Sequence, residues 1–396
     1  MKAHRFSRRT DWNTTPTEWA SLLGRRQAAG LPIIDLTASN PTRCGFQYDV
    51  EALLGALHDP AVLEYDPHPR GLKQARQAVA QYYTDHGIAV NPEHIFLTAS
   101  TSEAYSFLFR LLCDPGDEIL IAQPSYPLFD FLAGLDDVRL VTYPLFYDFG
   151  WHLDPEGLRR QITPRTRAIV LVHPNNPTGH FIKKAERVAL EQICADFGLS
   201  LIVDEVFLDY AVRDSYPRPQ SFAGGEHSVL TFVLSGISKI AALPQMKVAW
   251  LACFGPSLAL TSALDRLEVV SDTFLSVNAP AQCALPTWLG GREAIQQQIL
   301  ARLRANLESL DKLLDQESLV SRLTVEGGWY AVLRIPATVN AESTALALLA
   351  SSGVAIHSGD FFGFRNLGWL VCSLLCNEPD LKFGINQLKH TLQRDL

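Results

Sequence analysis

The chain has 396 residues, of which 47% are hydrophobic and 19% charged, with a formal net charge of −8. That length allows a large core and more than one ordinary domain, and the low charged fraction suggests a surface partly covered by a subunit partner. No long basic run and no apolar run of about 18 residues occurs, which argues against nucleic acid and membrane as partners.

In chain order, the first residues are basic (Lys2, Arg5, Arg8, Arg9), but Asp11, Trp12 and Asn13 follow instead of an apolar stretch, so no secretory signal is expected. Residues 1–50 mix charge, Trp and Pro irregularly and read as an N-terminal arm and entrance segment that packs with a smaller domain. From 51 to 290, short β-rich runs alternate with amphipathic stretches. The strand candidates are Ile119–Ala122, Ala168–His173, Leu199–Asp204, Val229–Leu234 and Val248–Cys253. Several are apolar throughout, as strands covered on both faces are. Helical patterns at Ser100–Cys113 and Lys183–Phe197 fall between them. This alternation implies an α/β fold with a mostly parallel sheet.

Residues 291–396 follow a different order and are assigned to a smaller α+β domain. A long helix covers Arg292 to Asp315. Leu323–Val325 and Tyr330–Ile335 flank Gly327-Gly328 as a hairpin. Ala341–Ser351 is helical, Leu370–Leu375 is a strand, and a last helix closes the chain. The seven cysteines form an odd number without close pairs. They read as reduced thiols of a cytoplasmic protein, with Cys194, Cys253, Cys283 and Cys372 buried and no metal or disulfide role.

Chemistry-bearing residues cluster at strand ends. Ser100 and Glu103 have capping-box spacing at the start of a helix, and such an N-terminus either is simply capped or holds a phosphate. Tyr126, in Pro-Ser-Tyr-Pro, is a surface aromatic or a ring that stacks on a ligand. His173-Pro-Asn-Asn-Pro-Thr-Gly179 fixes a rigid turn after an apolar strand, from which Asn176 could donate to a ring hydroxyl. Asp204 ends a buried strand, where an acid either caps the next helix or keeps a pyridinium nitrogen protonated. Lys239, in Ser238-Lys239 after another apolar strand, either snorkels to solvent or supplies a desolvated amine for a Schiff base.

Pro-Asn-Asn-Pro-Thr-Gly, then Asp-Glu at a strand end, then Ser-Lys 35 residues after Asp204 resembles the fold-type I pyridoxal 5′-phosphate (PLP) aminotransferases of class I/II. The resemblance covers nearly the whole chain. Leu36-Thr-Ala-Ser-Asn-Pro resembles the family's entrance strand, Tyr65 before Gly71 its partner-reaching segment, and Val325-Glu-Gly-Gly-Trp-Tyr its small-domain hairpin. It implies a seven-stranded sheet sandwiched by helices, PLP as cofactor, amine and keto substrates, and a homodimer in biosynthetic metabolism. It also implies roles. Lys239 would carry the imine and shuttle the proton. Asp204 would pair with the pyridinium nitrogen, Asn176 would bond the ring O3′, and Tyr126 would stack. Ser100, Thr101, Ser102, Ser238 and Lys247 would surround the phosphate, with Tyr65 serving the neighbouring subunit.

Three departures bear on substrate. Phe207 stands where the family has a Tyr, and Tyr210 is the nearby phenol that could compensate. Val371 replaces the carboxylate-binding Arg, which leaves Arg43 and Arg365 as candidate cations. Ser39 replaces the entrance Gly and joins Arg43 and Arg365 as a candidate substrate contact, and Gly236 replaces a Ser/Thr. These departures keep a PLP decarboxylase, lyase, cyclase or racemase open as the alternative to transamination. A non-catalytic PLP-binding protein is the third reading.

Overall fold

In a computed structural model, the described residues are 5–212, 220–314 and 318–395. Eight strands form the main sheet: β1 (Ile95–Thr98), β2 (Glu118–Gln123), β3 (Arg139–Tyr147), β4 (Trp151–Leu153), β5 (Thr166–Val172), β6 (Ser200–Asp204), β7 (Thr231–Gly236) and β8 (Ala249–Phe254). Their order is β1-β8-β7-β6-β5-β2-β3-β4. The run β7-β6-β5-β2-β3 is parallel throughout, while β1, β8 and β4 join antiparallel.

The expected seven strands become eight because β3 turns back on itself, pairing Leu145 with Leu153 and Tyr147 with Trp151. Trp151 and Leu153 are buried, so this short edge strand seals apolar surface. β3 carries Pro144, which disguises it in the sequence and is tolerated near a sheet edge. The central strand β6 is buried at all five positions. Leu201 and Val203 enter one apolar cluster and Ile202 the other, as a period of two requires when helices cover both faces.

Register sets which strand ends share a rim. Thr98 pairs with Ala249, Ala249 with Gly236, and Val172 with Asp204. The carboxyl ends of β1, β5, β6 and β7 therefore open onto one rim, where the ligand site of an α/β sheet lies.

A second sheet runs β9 (Ser321–Arg322), β10 (Tyr330–Arg334), β12 (Trp369–Ser373), β11 (His357–Ser358), antiparallel at each pairing. The expected hairpin about Gly327-Gly328 is wider than a tight turn: its first strand is Ser321–Arg322, not Leu323–Val325. The backbone at Gly327 bridges to Ala211 instead, so those residues serve the junction between the two halves. The long helix is described as Arg292–Leu313, and Asp315 lies outside the described residues. Ile295, Ile299 and Leu303 from this helix, with Leu381, Ile385 and Leu388 from the last helix, make a second apolar core. Each such side chain contributes about 1.5–3 kcal/mol on burial.

Leu36 of the entrance segment is fully buried in that same core. Ile34 and Asp35 pair in parallel with Val354 and Ala355. The helix Glu18–Ala28 packs on the helix Ala341–Ser352. Ahead of it, Arg9 pairs with Asp137 and Trp12 meets Phe131 edge-on at 5.3 Å, so the arm straps one half to the other. Cys194, Cys253, Cys283 and Cys372 are buried, and none is in a disulfide. Among the described residues no helix is long and apolar enough to cross a membrane.

Candidate active site

Asp204 and Glu205 leave β6 on opposite faces. Asp204 Oδ1 accepts from the Val206 N–H at 3.1 Å, and Oδ2 from the Tyr105 hydroxyl at 3.2 Å. Burial pushes this carboxyl up to about 6. Glu205 points away and accepts from Ser221 Oγ and the Phe222 N–H, both at 2.6 Å. Burial raises it to about 7. Asp204 thus caps the turn that follows it through one oxygen, and Glu205 fastens the 221–222 turn.

Lys239 lies in the one-turn helix Ile237–Ile240 that follows β7. Its Nζ stands 5.0 Å from the Trp329 ring centroid and 5.7 Å from that of Phe207. Burial lowers the amine to about 8, against the pull of Asp204. An amine walled by aromatics and depressed toward neutrality is a competent nucleophile and base. The snorkelling reading fails, because Lys239 turns inward.

The turn at 173–179 is tied down by its own side chains. Asn175 Oδ1 accepts from Thr178 Oγ1 at 2.8 Å, and the Gly179 N–H donates to the Asn175 carbonyl at 2.8 Å. His173 Nδ1 accepts from the Ile182 N–H at 3.1 Å. Burial holds this imidazole neutral, down to about 3. Within this pinned frame the buried Asn176 Oδ1 has no hydrogen-bond partner. A buried amide left short of partners is costly unless a ligand completes it.

The helix Thr101–Leu112 begins at Ser100, whose Oγ accepts from the Glu103 N–H at 3.2 Å. Glu103 reaches back one residue further than a capping box requires, to the Ala99 N–H at 2.8 Å. The amides of Thr101 and Ser102 fall in the first turn, where no helical carbonyl can reach them. Ser238 is half-buried. Lys247 is exposed on left-handed backbone (φ 54°) just before β8. Tyr126 is 37% exposed and sits edge-on to Phe129 at 5.9 Å.

Tyr105 and Trp329 complete the inner wall and were not among the expected residues. Tyr105 follows Thr101 by one helical turn, a spacing that could have marked it. Trp329 was visible only as part of a hairpin. It arrives through a backbone crossing in which the Gly327 N–H donates to the Gly179 carbonyl at 3.1 Å. A Cβ on Gly179 (φ 72°) would lie 2.5 Å from the Gly327 oxygen, and one on Gly327 would strike the Phe181 ring at 2.6 Å. Only glycines let the two loops cross. Asn176, Phe207, Trp329 and Tyr330 then border one narrow space.

The remaining candidates are placed as follows. The Tyr210 hydroxyl donates to the Lys239 carbonyl at 2.6 Å, so this phenol does not stand in for the one missing at Phe207. Val371 is fully buried opposite Val332. Arg365 is exposed and held by Gln123 Oε1 at 2.6 Å and Thr142 Oγ1 at 2.9 Å. Its anchors lie on β2 and β3, three and four strands along from Lys239, which is roughly 14–19 Å at normal strand spacing. Arg43 is exposed in the turn Pro41–Arg43. Ser39 is exposed, and burial raises the Tyr330 phenol to about 12. Tyr65 is 83% exposed and lines an open cavity of 710 Å³ that none of Lys239, Asp204 and Asn176 borders.

Comparison with known proteins gives a consistent picture. The family described as aminotransferase class I and II matches residues 32–382. Glutamate-pyruvate aminotransferase AlaA of Escherichia coli (strain K12) is 29% identical over 276 residues, which cover 69% of this chain and 68% of the relative. A probable aspartate/prephenate aminotransferase of Thermus aquaticus is 30% identical over 370 residues, 92% of each chain. Among solved structures, an aminotransferase from Escherichia coli superposes with a TM-score of 0.88 at 24% identity, covering 99% of both chains.

Proposed function

The chain belongs to the class I and II aminotransferases, and on that premise we propose that Lys239 carries pyridoxal 5′-phosphate and moves an amino group between an amino acid and a 2-oxo acid. The observation that carries this reading is the depressed, aromatic-walled amine of Lys239 facing the buried Asp204 carboxylate. The donor set fits the group. Asp204 has the burial to hold a protonated ring nitrogen, and Asn176, whose buried Oδ1 has no protein partner, can offer its amide to the ring hydroxyl. The first turn at Thr101 and Ser102, with Ser100, Ser238 and Lys247 nearby in the reading, suits the phosphate. Tyr126 would cover the ring.

When bound, the ring supplies an electron sink for the bond broken at the substrate Cα. The protein supplies the rest. Lys239 would take the Cα proton and return it, across the intervening nitrogen, to the aldehyde-derived carbon of the cofactor, and its amine, lowered to about 8, suits both directions. Trp329 and Phe207 exclude water from that transfer. Asp204 keeps the ring nitrogen charged. Because Val371 is buried and apolar, carboxylate recognition does not run through that position, and the exposed Arg43 and Arg365 stay as candidate cations, Arg365 with two neutral hydrogen-bond partners. Domain boundaries near residues 50 and 290 belong to the same reading, supported by the entrance segment and the long helix sharing the second core. Borohydride reduction of the holoenzyme followed by peptide mapping tests it: Lys239 should be the pyridoxylated residue, and an unmodified Lys239 in protein saturated with the vitamer rejects the reading.

We also infer a homodimer in which Tyr65 serves the neighbouring site. Its exposure beside an open cavity supports this. Mixing inactive Lys239→Ala and Tyr65→Ala proteins at limiting cofactor should restore about a quarter of wild-type activity, since a mixed two-fold dimer keeps one intact site. No restoration after verified subunit exchange rejects shared sites.

A further inference from the structure

The backbone that carries Lys239 is held in an unusual way. A helix of four residues cannot satisfy its own last carbonyls, because the next turn of amides is missing. Here those residues are deeply buried, with Ile240 and Ala242 at 0% exposure, so water does not replace the missing donors. Ala242 adopts left-handed backbone (φ 54°), which directs the chain away from helix. Unsatisfied buried carbonyls would be costly.

The Ala242 N–H reaches back to the Lys239 carbonyl at 3.1 Å, and three side chains from distant parts of the sequence give that carbonyl a second donor and supply the other two. The Tyr210 hydroxyl donates to the Lys239 carbonyl at 2.6 Å, the Gln296 amide Nε2 to the Ile240 carbonyl at 2.9 Å, and the Tyr48 hydroxyl to the Ala242 carbonyl at 2.9 Å. Tyr210 lies just beyond Asp204, so its bond closes a loop between the two groups that flank the site. Gln296 is held in turn: the same amide nitrogen donates to Asp209 Oδ2 at 2.7 Å. Asp209 Oδ1 takes the Tyr82 hydroxyl at 3.2 Å and His86 Nε2 at 3.0 Å. Gln296 sits on Arg292–Leu313, the helix whose Ile295, Ile299 and Leu303 build the second core. Tyr48 packs against both cores.

We propose that Tyr48, Tyr210 and Gln296 are positioning residues that aim the Lys239 amine by clamping three carbonyls of its turn, and that Gln296 makes this aim depend on how the second core seats on the first. The proposal rests on Lys239 being the cofactor-bearing residue. None of the three needs to touch substrate. Each acts through the backbone, and an error of about 1 Å at the amine costs up to about a hundredfold in rate.

The test uses the holoenzyme in Tyr48→Phe, Tyr210→Phe and Gln296→Met forms. First, borohydride labelling of wild type at Lys239 is checked; failure there removes the underlying reading and not this one specifically. With labelling established, the pH midpoint of the lysine–cofactor chromophore is read by absorbance, alongside kcat and KM. Tyr210→Phe and Gln296→Met should each shift the midpoint by about half a pH unit or more and lower kcat about tenfold with KM within about twofold. Tyr48→Phe should do the same to a smaller degree, and it keeps the test open should Gln296→Met not fold. Midpoints and kcat equal to wild type in the variants that fold, whatever their melting temperatures, overturn the proposal.

Discussion

Lys239→Met should lower kcat by about 10³–10⁴-fold, the scale of losing a positioned acid–base group, while leaving the cofactor-free protein at least as stable as wild type at pH 7. The two halves of this expectation have one cause. Burial depresses the amine from 10.5 to about 8 in the folded chain. Between those values the unfolded chain binds more protons, so wild-type stability rises with pH through that window. Below pH 8 the folded protein carries the cost of a poorly solvated ammonium. Methionine has similar length and no charge, so it removes that cost. The melting temperature of cofactor-free Lys239→Met should therefore exceed wild type most clearly below pH 8, with the gap closing toward pH 10.5. A large loss of stability at pH 7 would show that the amine has a favourable partner in the fold.

Asp204→Asn is the second large effect, with kcat falling about 10²–10³-fold, the scale found when one preorganised electrostatic contact is lost. The carboxyl is raised from 3.8 to about 6 by burial. Here the folded chain keeps its proton longer than the unfolded one. The stability it contributes is full below about pH 4 and is lost as pH rises through 6. Glu205 does the same between 4.5 and about 7. Buried His173 and His357, lowered to about 3 and about 4, act in the opposite sense up to about pH 6.5, so the Asp204 contribution is read as a difference from wild type. Between pH 4 and 6 the melting temperature of cofactor-free Asp204→Asn should change with a more positive slope than that of wild type. A slope identical to wild type would mean that Asp204 is already ionised and solvated. Adding the cofactor should reverse the trend at Asp204, because a cationic ring nitrogen favours the carboxylate.

Much of this could be read from the residues in order. The apolar runs ending at Asp204 and before Lys239 announced strands buried on both faces, and β6 and β7 lie within two residues of the expected bounds. The turn at 173–179 was visible because prolines, asparagines and a glycine allow few conformations. The first strand escaped notice because Ile95–Thr98 is only four residues long. The pair β3-β4 was hidden by Pro144 and by a turn without a strong hairpin dipeptide. Trp329 and Gln296 were unreadable for a different reason. Each acts through a contact between segments far apart in sequence, and local pattern holds no record of such a contact. The separation of duties between Asp204 and Glu205 likewise needed the Ser221 hydroxyl to be found beside Glu205.

The crossing of Gly179 and Gly327 limits how this chain can be remodelled. Two main chains touch there without any intervening side chain, so neither strip can be exchanged alone for one bearing bulk at that spot. Chimeras built to transplant substrate preference must carry 173–179 and 325–330 as a matched set. A donor sequence holding alanine at either glycine position would hold the two lobes apart and pull the indole away from the amine it shields.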